Sequence, residues 1–194
     1  MIDRSGAALI AVDVQRDFLP GGALGVTGGD VVVGPLLELA ARFRLRIATR
    51  DFHPPDHCSF VAQGGPWPPH CVIGTRGAGL HSAIDAIADI IVSKGSNRDV
   101  EQYSGFDAPG LAALLRARDV GHVVIGGLAT DYCVRATALA ARREGFAVTI
   151  AVDAVRAVDL TTGDGDRALD EMRAVGAEVR TCADILSDVC GEES

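Results

Sequence analysis

Short apolar runs alternate with amphipathic stretches along this chain. Residues 8–14 (ALIAVDV) are a compact apolar run ending around Asp13, which reads as a strand. Residues 31–43 predict a helix with Asp30 as its N-cap. The same alternation predicts strands over 46–50, 90–93, 122–126, 146–152 and 177–181. Helices are predicted over 80–88, 110–118, 131–144 (closed by Gly145) and 165–175. Two stretches break the rhythm. Residues 21–30 are glycine-rich, and residues 51–79 hold most of the prolines and show no period. A loop of that length inside a compact domain is usually functional, here an excursion over the sheet edge.

Strands separated by helices imply parallel pairing with helices on both faces. The expected fold is therefore a doubly wound, three-layer α/β structure, and residues 1–194 are expected to form one domain. In such sheets ligands bind outside the carboxyl ends of the strands. The polar residues falling there are Asp13, then Asp51 with His53, then Lys94, then the stretch Ala129, Thr130, Asp131, Tyr132, Cys133.

Composition narrows the partners. A formal net charge of −8 argues against a sequence-independent grip on nucleic acid or an anionic membrane. The apolar run near the N-terminus is short and ends in aspartate, so neither a signal peptide nor a membrane span is expected. Five cysteines, an odd number, do not suggest a disulfide framework, and a reducing cytoplasm is the expected location. Lysine and arginine total 18, yet Lys94 is the only lysine. A lone lysine is ordinarily a solvated surface charge; its place at a strand end beside other polar residues favours a chemical role. At a rim it should contribute modestly to stability.

Cys133 follows a strand and a tight turn, at the start of a helix that Thr130 or Asp131 could cap. The helix dipole there stabilises a thiolate, and the unpaired N–H groups can hold an oxyanion. The alternative is a small buried apolar residue, the reading preferred for Cys58, Cys71, Cys182 and Cys190. Asp13, facing Cys133 across the rim, could take the thiol proton and return it to a leaving amine; otherwise it merely opens a loop. Lys94 near both would favour the ionised forms of each. In RDFHPPDHCSF and PWPPHCVIGT, Asp51 and His53 are two apart at a strand end and point the same way, with His57 and His70 able to fold over them. One carboxylate with imidazoles suits Zn²⁺, Fe²⁺ or Mn²⁺. Two alternatives are hydrogen-bonded loop histidines and a structural zinc site of Cys58, Cys71, His57 and His70, which lacks short CxxC pairs. His81 and His122 read as structural. Phe18, Trp67 and Tyr103 fall in loops near the rim and suit a flat aromatic substrate or simple loop packing. The stretch PGGALGVTGG has no GxGxxG spacing, so dinucleotide binding is a weak reading.

AVDVQRDFLPGGALGVTGG, TRDFHPPDHCSF, WPPHCVIGTRGAGL, Lys94-Gly95, YSGFD and GGLATDYCVRATALAA together resemble the nicotinamidase/pyrazinamidase family of isochorismatase-like cysteine hydrolases. They span most of the chain in that family's order. The resemblance implies deamidation of nicotinamide, and of pyrazinamide, through a cysteine thioester. It implies Asp13, Lys94 and Cys133 as the catalytic triad and Asp51, His53 and His70 as ligands of one divalent metal ion, zinc first. His57 matches a position that adds a ligand in some members. The Leu128–Ala129 bond matches the family's cis peptide, which would turn the Ala129 N–H inward beside that of Cys133 as an oxyanion hole. The substrate ring would lie among Phe18, Trp67 and Tyr103, with Tyr132 at a position where many relatives carry other residues, including histidine. The other readings are a metal-free relative acting on another amide or carbamoyl compound, and a non-enzymatic metabolite-binding module. Assembly into a homo-oligomer stays open.

Overall fold

The computed structural model describes residues 2–3 and 5–189. Six strands form one parallel sheet in the order β3-β2-β1-β4-β5-β6: β1 Ala7–Val12, β2 Leu45–Asp51, β3 Ile90–Lys94, β4 His122–Leu128, β5 Ala147–Arg156 and β6 Glu178–Arg180. The helices are α1 Val33–Ala40, α2 Ser82–Ile87, α3 Leu111–Arg116, α4 Arg135–Arg143, α5 Asp164–Ala174 and α6 Cys182–Val189.

Alternation along the strands divides the core in two. Leu9 and Ala11 of β1 face Leu36 and Leu39 of α1, Ile84 of α2 and Ile185 of α6. Ala8, Ile10 and Val12 face Leu111 and Leu115 of α3, Ala138 and Ala141 of α4, and Met172 of α5. Every residue of β1 is buried, as a central parallel strand covered on both faces requires. Each fully buried Leu or Ile contributes roughly 1.5–3 kcal/mol relative to exposure. The chain crosses from β1 to one face and from β4 to the other, so β1 and β4 flank the topological switch point. Gly127 makes their approach possible: it adopts φ 118°, and a Cβ there would stand 2.1 Å from the Val12 carbonyl oxygen.

The structure departs from the periodicity at three places. The stretch predicted as one helix over 31–43 is a 3-10 turn, Gly29–Val32, running into the shorter α1, and Asp30 lies inside that turn without capping it. The predicted helix over 131–144 begins as a π-helical turn, Thr130–Val134, and becomes α-helical only at Arg135. Helix α6 was not predicted; only Thr181 separates it from β6, and that residue, expected to end the strand, meets the Asp184 N–H with its hydroxyl at 3.2 Å and so opens the helix. No helix among the described residues is long and apolar enough to cross a membrane.

Candidate active site and metal centre

Three strand ends converge on the Lys94 ammonium. It lies 2.9 Å from Asp13 Oδ2, donates to Asp51 Oδ1 in a very short contact, and reaches Cys133 Sγ at 3.5 Å. Two of its protons are hydrogen-bonded, to Asp51 and Cys133, and its charge pairs with Asp13, all of them buried. Lys94 closes β3, where it pairs in register with Asp51 of β2, so the sheet itself sets that contact. Asp13 follows β1 at φ 49°, a left-handed conformation that aspartate tolerates better than most residues. Thr49 fixes its carboxylate: the hydroxyl donates to Asp13 Oδ1 at 2.6 Å. Asp13 Oδ2 has the Lys94 charge beside it, but among the described residues no donor is aligned on it as a hydrogen bond. That oxygen keeps a lone pair for a proton.

The electrostatics follow from counting charges. Burial alone would push the Lys94 amine down, but Asp13, Asp51 and Cys133 outweigh it and hold it well above the usual lysine range. One ammonium cannot sustain three anions without water. Burial also works against the Asp51 carboxylate, yet Lys94 and His53 overcome it and hold Asp51 well below the usual range. Burial pushes the Asp13 carboxyl up against the pull of Lys94. It pushes the Cys133 thiol well up too, with Asp13 adding to the effect. Burial thus works against the dipole-stabilised thiolate that the helix start suggested. Burial favours the Cys133 thiol, and the Asp13 carboxylate lies within 4.8 Å of it as a candidate proton acceptor.

Asp51 also faces the other way. Its Oδ2 lies 3.7 Å from His53 Nε2, and Asp51, His53 and His70 offer ligand atoms all within 4.8 Å of one another. His53 Nδ1 bonds the Gly95 carbonyl at 2.9 Å, and His70 Nδ1 bonds the Pro68 carbonyl at 2.8 Å. A carbonyl only accepts, so both Nδ1 atoms carry a proton; the His70 Nε2 lone pair is left for a cation, and at His53 a cation would take the place of the proton that Asp51 favours on Nε2. These residues fit a divalent metal ion. His57 does not join them: it stacks on His53 at 4.1 Å between centroids, with its ring nitrogens directed to Ser59 Oγ (2.7 Å) and the Val100 carbonyl (3.2 Å). Nor do Cys58 and Cys71 form a ligand cluster with the histidines among the described residues. Gly95 is obligatory here. It sits at φ 69°, and a Cβ would come within 2.4 Å of His53 Cε1. Gly95→Ala should therefore displace the imidazole and lower metal content about ten- to a hundredfold in affinity, the range for outer-shell changes. Metal analysis after dialysis against a weak chelator measures it.

Phe18, Leu24, Val26, Trp67, Tyr103, Tyr132 and Val158 line a cleft that ends on Cys133, Asp51 and His70. Trp67 Nε1 donates to the Tyr103 hydroxyl at 3.1 Å, and Tyr132 packs edge-on to Trp67 with centroids 5.1 Å apart. The walls are flat, aromatic and apolar, with the polar groups gathered at one end. The Leu128–Ala129 peptide is cis, as the resemblance implied, and Ala129 joins Cys133 in the cleft lining.

A family model described as the Isochorismatase domain matches residues 7–184. The chain belongs to the isochorismatase family. Within that family it is 42% identical to the nicotinamidase/pyrazinamidase of Mycobacterium tuberculosis, over 89% of this chain and 97% of that relative. Among solved structures it is similar to the pyrazinamidase of Pyrococcus horikoshii in complex with zinc, at 46% identity and a TM-score of 0.86, covering 91% of this chain and 99% of that one. It is also similar to PnC1 from L. infantum in complex with nicotinate, at 36% identity and a TM-score of 0.88, covering 94% and 96%.

In this isochorismatase-family site the structure brings together Asp13, Lys94, Cys133, Asp51, His53 and His70, with Phe18, Trp67, Tyr103 and Tyr132 around them. Three readings are corrected. Lys94 is enclosed, not a rim residue, so its removal would strand two buried carboxylates and its effect on stability is large. Neither Thr130 nor Asp131 caps the helix start. Cys58 is only half-buried, whereas Cys71 and Cys182 are buried as expected; Cys190 lies outside the described residues. His81 and His122 are structural: His81 caps α2 and His122 meets the Thr149 hydroxyl. Two positioning residues were missed. Thr49 lies two before Asp51 on β2, a same-face spacing that could have been read. Gln15 is fully buried and grips the Asp51 backbone from both sides, accepting from its N–H at 2.7 Å and donating to its carbonyl at 2.8 Å. Its only sequence signal was a polar residue two beyond Asp13.

Proposed function

We propose that this chain is a metal-dependent amidase that converts nicotinamide to nicotinate and ammonia, and pyrazinamide to pyrazinoate, through a thioester on Cys133. The observation that carries this is the meeting of Asp13, Lys94 and Cys133 with the Asp51–His53–His70 cluster at the polar end of one aromatic cleft. The zinc in the Pyrococcus horikoshii pyrazinamidase and the nicotinate in the L. infantum protein support the metal and the ring.

Asp51, His53 and His70 would hold the ion, with zinc proposed on the donor set. When bound, it supplies a Lewis-acid anchor for the ring nitrogen and positive charge beside Asp51. Phe18, Trp67, Tyr103 and Tyr132 hold the ring, and the carboxamide faces Cys133. Asp13 Oδ2 takes the thiol proton as Sγ bonds to the carboxamide carbon. The oxyanion so formed accepts from the backbone N–H groups of Ala129 and Cys133. Asp13 then gives the proton to the amide nitrogen, ammonia departs, and the thioester remains. A water molecule, deprotonated by Asp13, breaks the thioester, and the proton returns to sulfur as nicotinate leaves. Lys94 stays protonated throughout and fixes the Asp13 carboxylate against Sγ.

The metal-loaded protein should release ammonia from nicotinamide without nucleotide or ATP. Full loading with no turnover of any pyridine or pyrazine carboxamide overturns the proposal. Benzamide lacks the ring nitrogen and should be a poor substrate. His70→Ala should bind less metal and show a raised KM. Equal turnover of benzamide and nicotinamide would remove the ring-nitrogen anchor while leaving the thioester chemistry standing.

A further inference from the structure

Asp131 lies two residues before the nucleophile, inside the π-helical turn closed by the Val134 N–H on the Ala129 carbonyl at 3.1 Å. Its carboxylate is spent on a distant segment. Oδ1 accepts from the Val158 N–H at 3.0 Å and Oδ2 from the Asp159 N–H at 2.9 Å. Those two residues lie in the loop between β5 and α5, and Val158 is one wall of the cleft that ends on Cys133. The rest of the loop bonds mainly to its own continuation: the Thr161 N–H donates to Asp164 Oδ2 at 2.8 Å and the Asp164 N–H to the Thr161 carbonyl at 3.0 Å. Its tip, Leu160, is 69% exposed, and Val158 is only partly buried against the α1-side core. Asp159 adopts φ 53° and spends its own side chain on the Gly165 N–H at the start of α5 (2.8 Å). Bonds to a carboxylate are roughly twice as strong as neutral ones. A two-pronged grip from the nucleophile turn therefore adds a directional hold on the Val158 backbone that its apolar packing does not supply.

We propose that Asp131 is a positioning residue: it fastens the β5–α5 loop to the nucleophile turn and so holds Val158 against the substrate ring at a fixed distance from Cys133. Substrate affinity then depends on a carboxylate that never touches substrate. The kinetic readout rests on the amidase reading above; the structural readout does not.

The test compares wild type, Asp131→Asn, Val158→Ala and the double variant, all metal-loaded. Asparagine keeps the shape of the side chain but sets an NH₂ group against one of the two backbone donors. Asp131→Asn should raise the KM for nicotinamide about tenfold, as losing one apolar contact does, with kcat within about threefold. Exchange of the Val158 and Asp159 amides should quicken, while exchange in α4 stays unchanged. A merely structural role would lower the thermal midpoint and the active fraction and leave KM alone, which overturns the proposal. Val158→Ala should raise KM similarly, and the double variant should be no worse than the poorer single variant; multiplied effects mean that Asp131 does not act through Val158. Should Asp131→Asn fail to fold, an unchanged KM in Val158→Ala still overturns the proposal. Should the wild type turn over no carboxamide, the amidase reading falls, and amide exchange alone decides whether Asp131 grips the loop.

Discussion

Cys133→Ala is expected to abolish carboxamide turnover while the protein folds and loads metal normally. The thiol is buried, and Lys94 is its hydrogen-bond partner. Removing one sulfur atom leaves a small void beside the cleft, at a cost of about 1 kcal/mol. The proposed metal ligands lie on β2 and the excursion after it, so their geometry does not depend on sulfur. Catalysis does. Without Sγ no thioester forms, and Asp13 has only water to activate. Groups that act as a unit lose most of their effect when one is removed, so a fall of at least about a thousandfold in kcat is expected. Turnover above about one per cent of wild type would remove Cys133 as nucleophile. Alkylation gives a second readout. Cys58 is more exposed than Cys133 and should also take label. Loss of activity should therefore track the Cys133 adduct by mass mapping, and not the total label.

Lys94→Arg is expected to lower kcat by about a hundredfold or more, equivalent to about 2.7 kcal/mol of transition-state stabilisation. The ammonium reaches Asp13, Asp51 and Cys133 from one point. A guanidinium is planar, larger and suited to bidentate pairing with a single carboxylate. It would claim Asp13 or Asp51 as a fork and leave the other contacts out of reach. It would also crowd the space between Asp13 and Cys133. The site is fully enclosed, so the larger head should destabilise the fold as well, by about 1–3 kcal/mol. Lys94→Met should cost more, about 3–5 kcal/mol, because it strands the buried Asp13 and Asp51 carboxylates. The measurements are kcat beside the thermal midpoint for both variants. Near-normal turnover in Lys94→Arg would mean that positive charge alone suffices, and that the chain's single lysine is a compositional accident.

A parallel sheet with helices on both faces could be read from the chain because burial on both faces demands continuous apolar strands, as in β1. That rule then pointed to the strand ends, and Asp13, Asp51, Lys94 and Cys133 lie there. Boundaries were less legible. The turn at Gly29–Val32 and the π-helical start at Thr130 share the apolar spacing of an α-helix and differ only in hydrogen-bond register, which periodicity does not encode. The long aperiodic excursion could be recognised as functional, but not the path that brings His70 to His53.

The sequence by itself determined the fold class and the residue types at the site, since both follow from local pattern and from which side chains close each strand. Tertiary structure alone decided their roles. Only strand register sets Lys94 against Asp51, so that one carboxylate faces both the proposed triad and the proposed metal cluster. Only packing at Gly95 and the Gly95 and Pro68 carbonyls fixes which imidazole nitrogen faces that cluster. His57, an equal candidate by residue type, is turned to Ser59 and Val100 instead. Asp131, a cap by position, grips a loop 27 residues away. Side-chain chemistry is written residue by residue, but hydrogen-bond partners and charge balance belong to neighbours in space, and the chain acquires those only on folding.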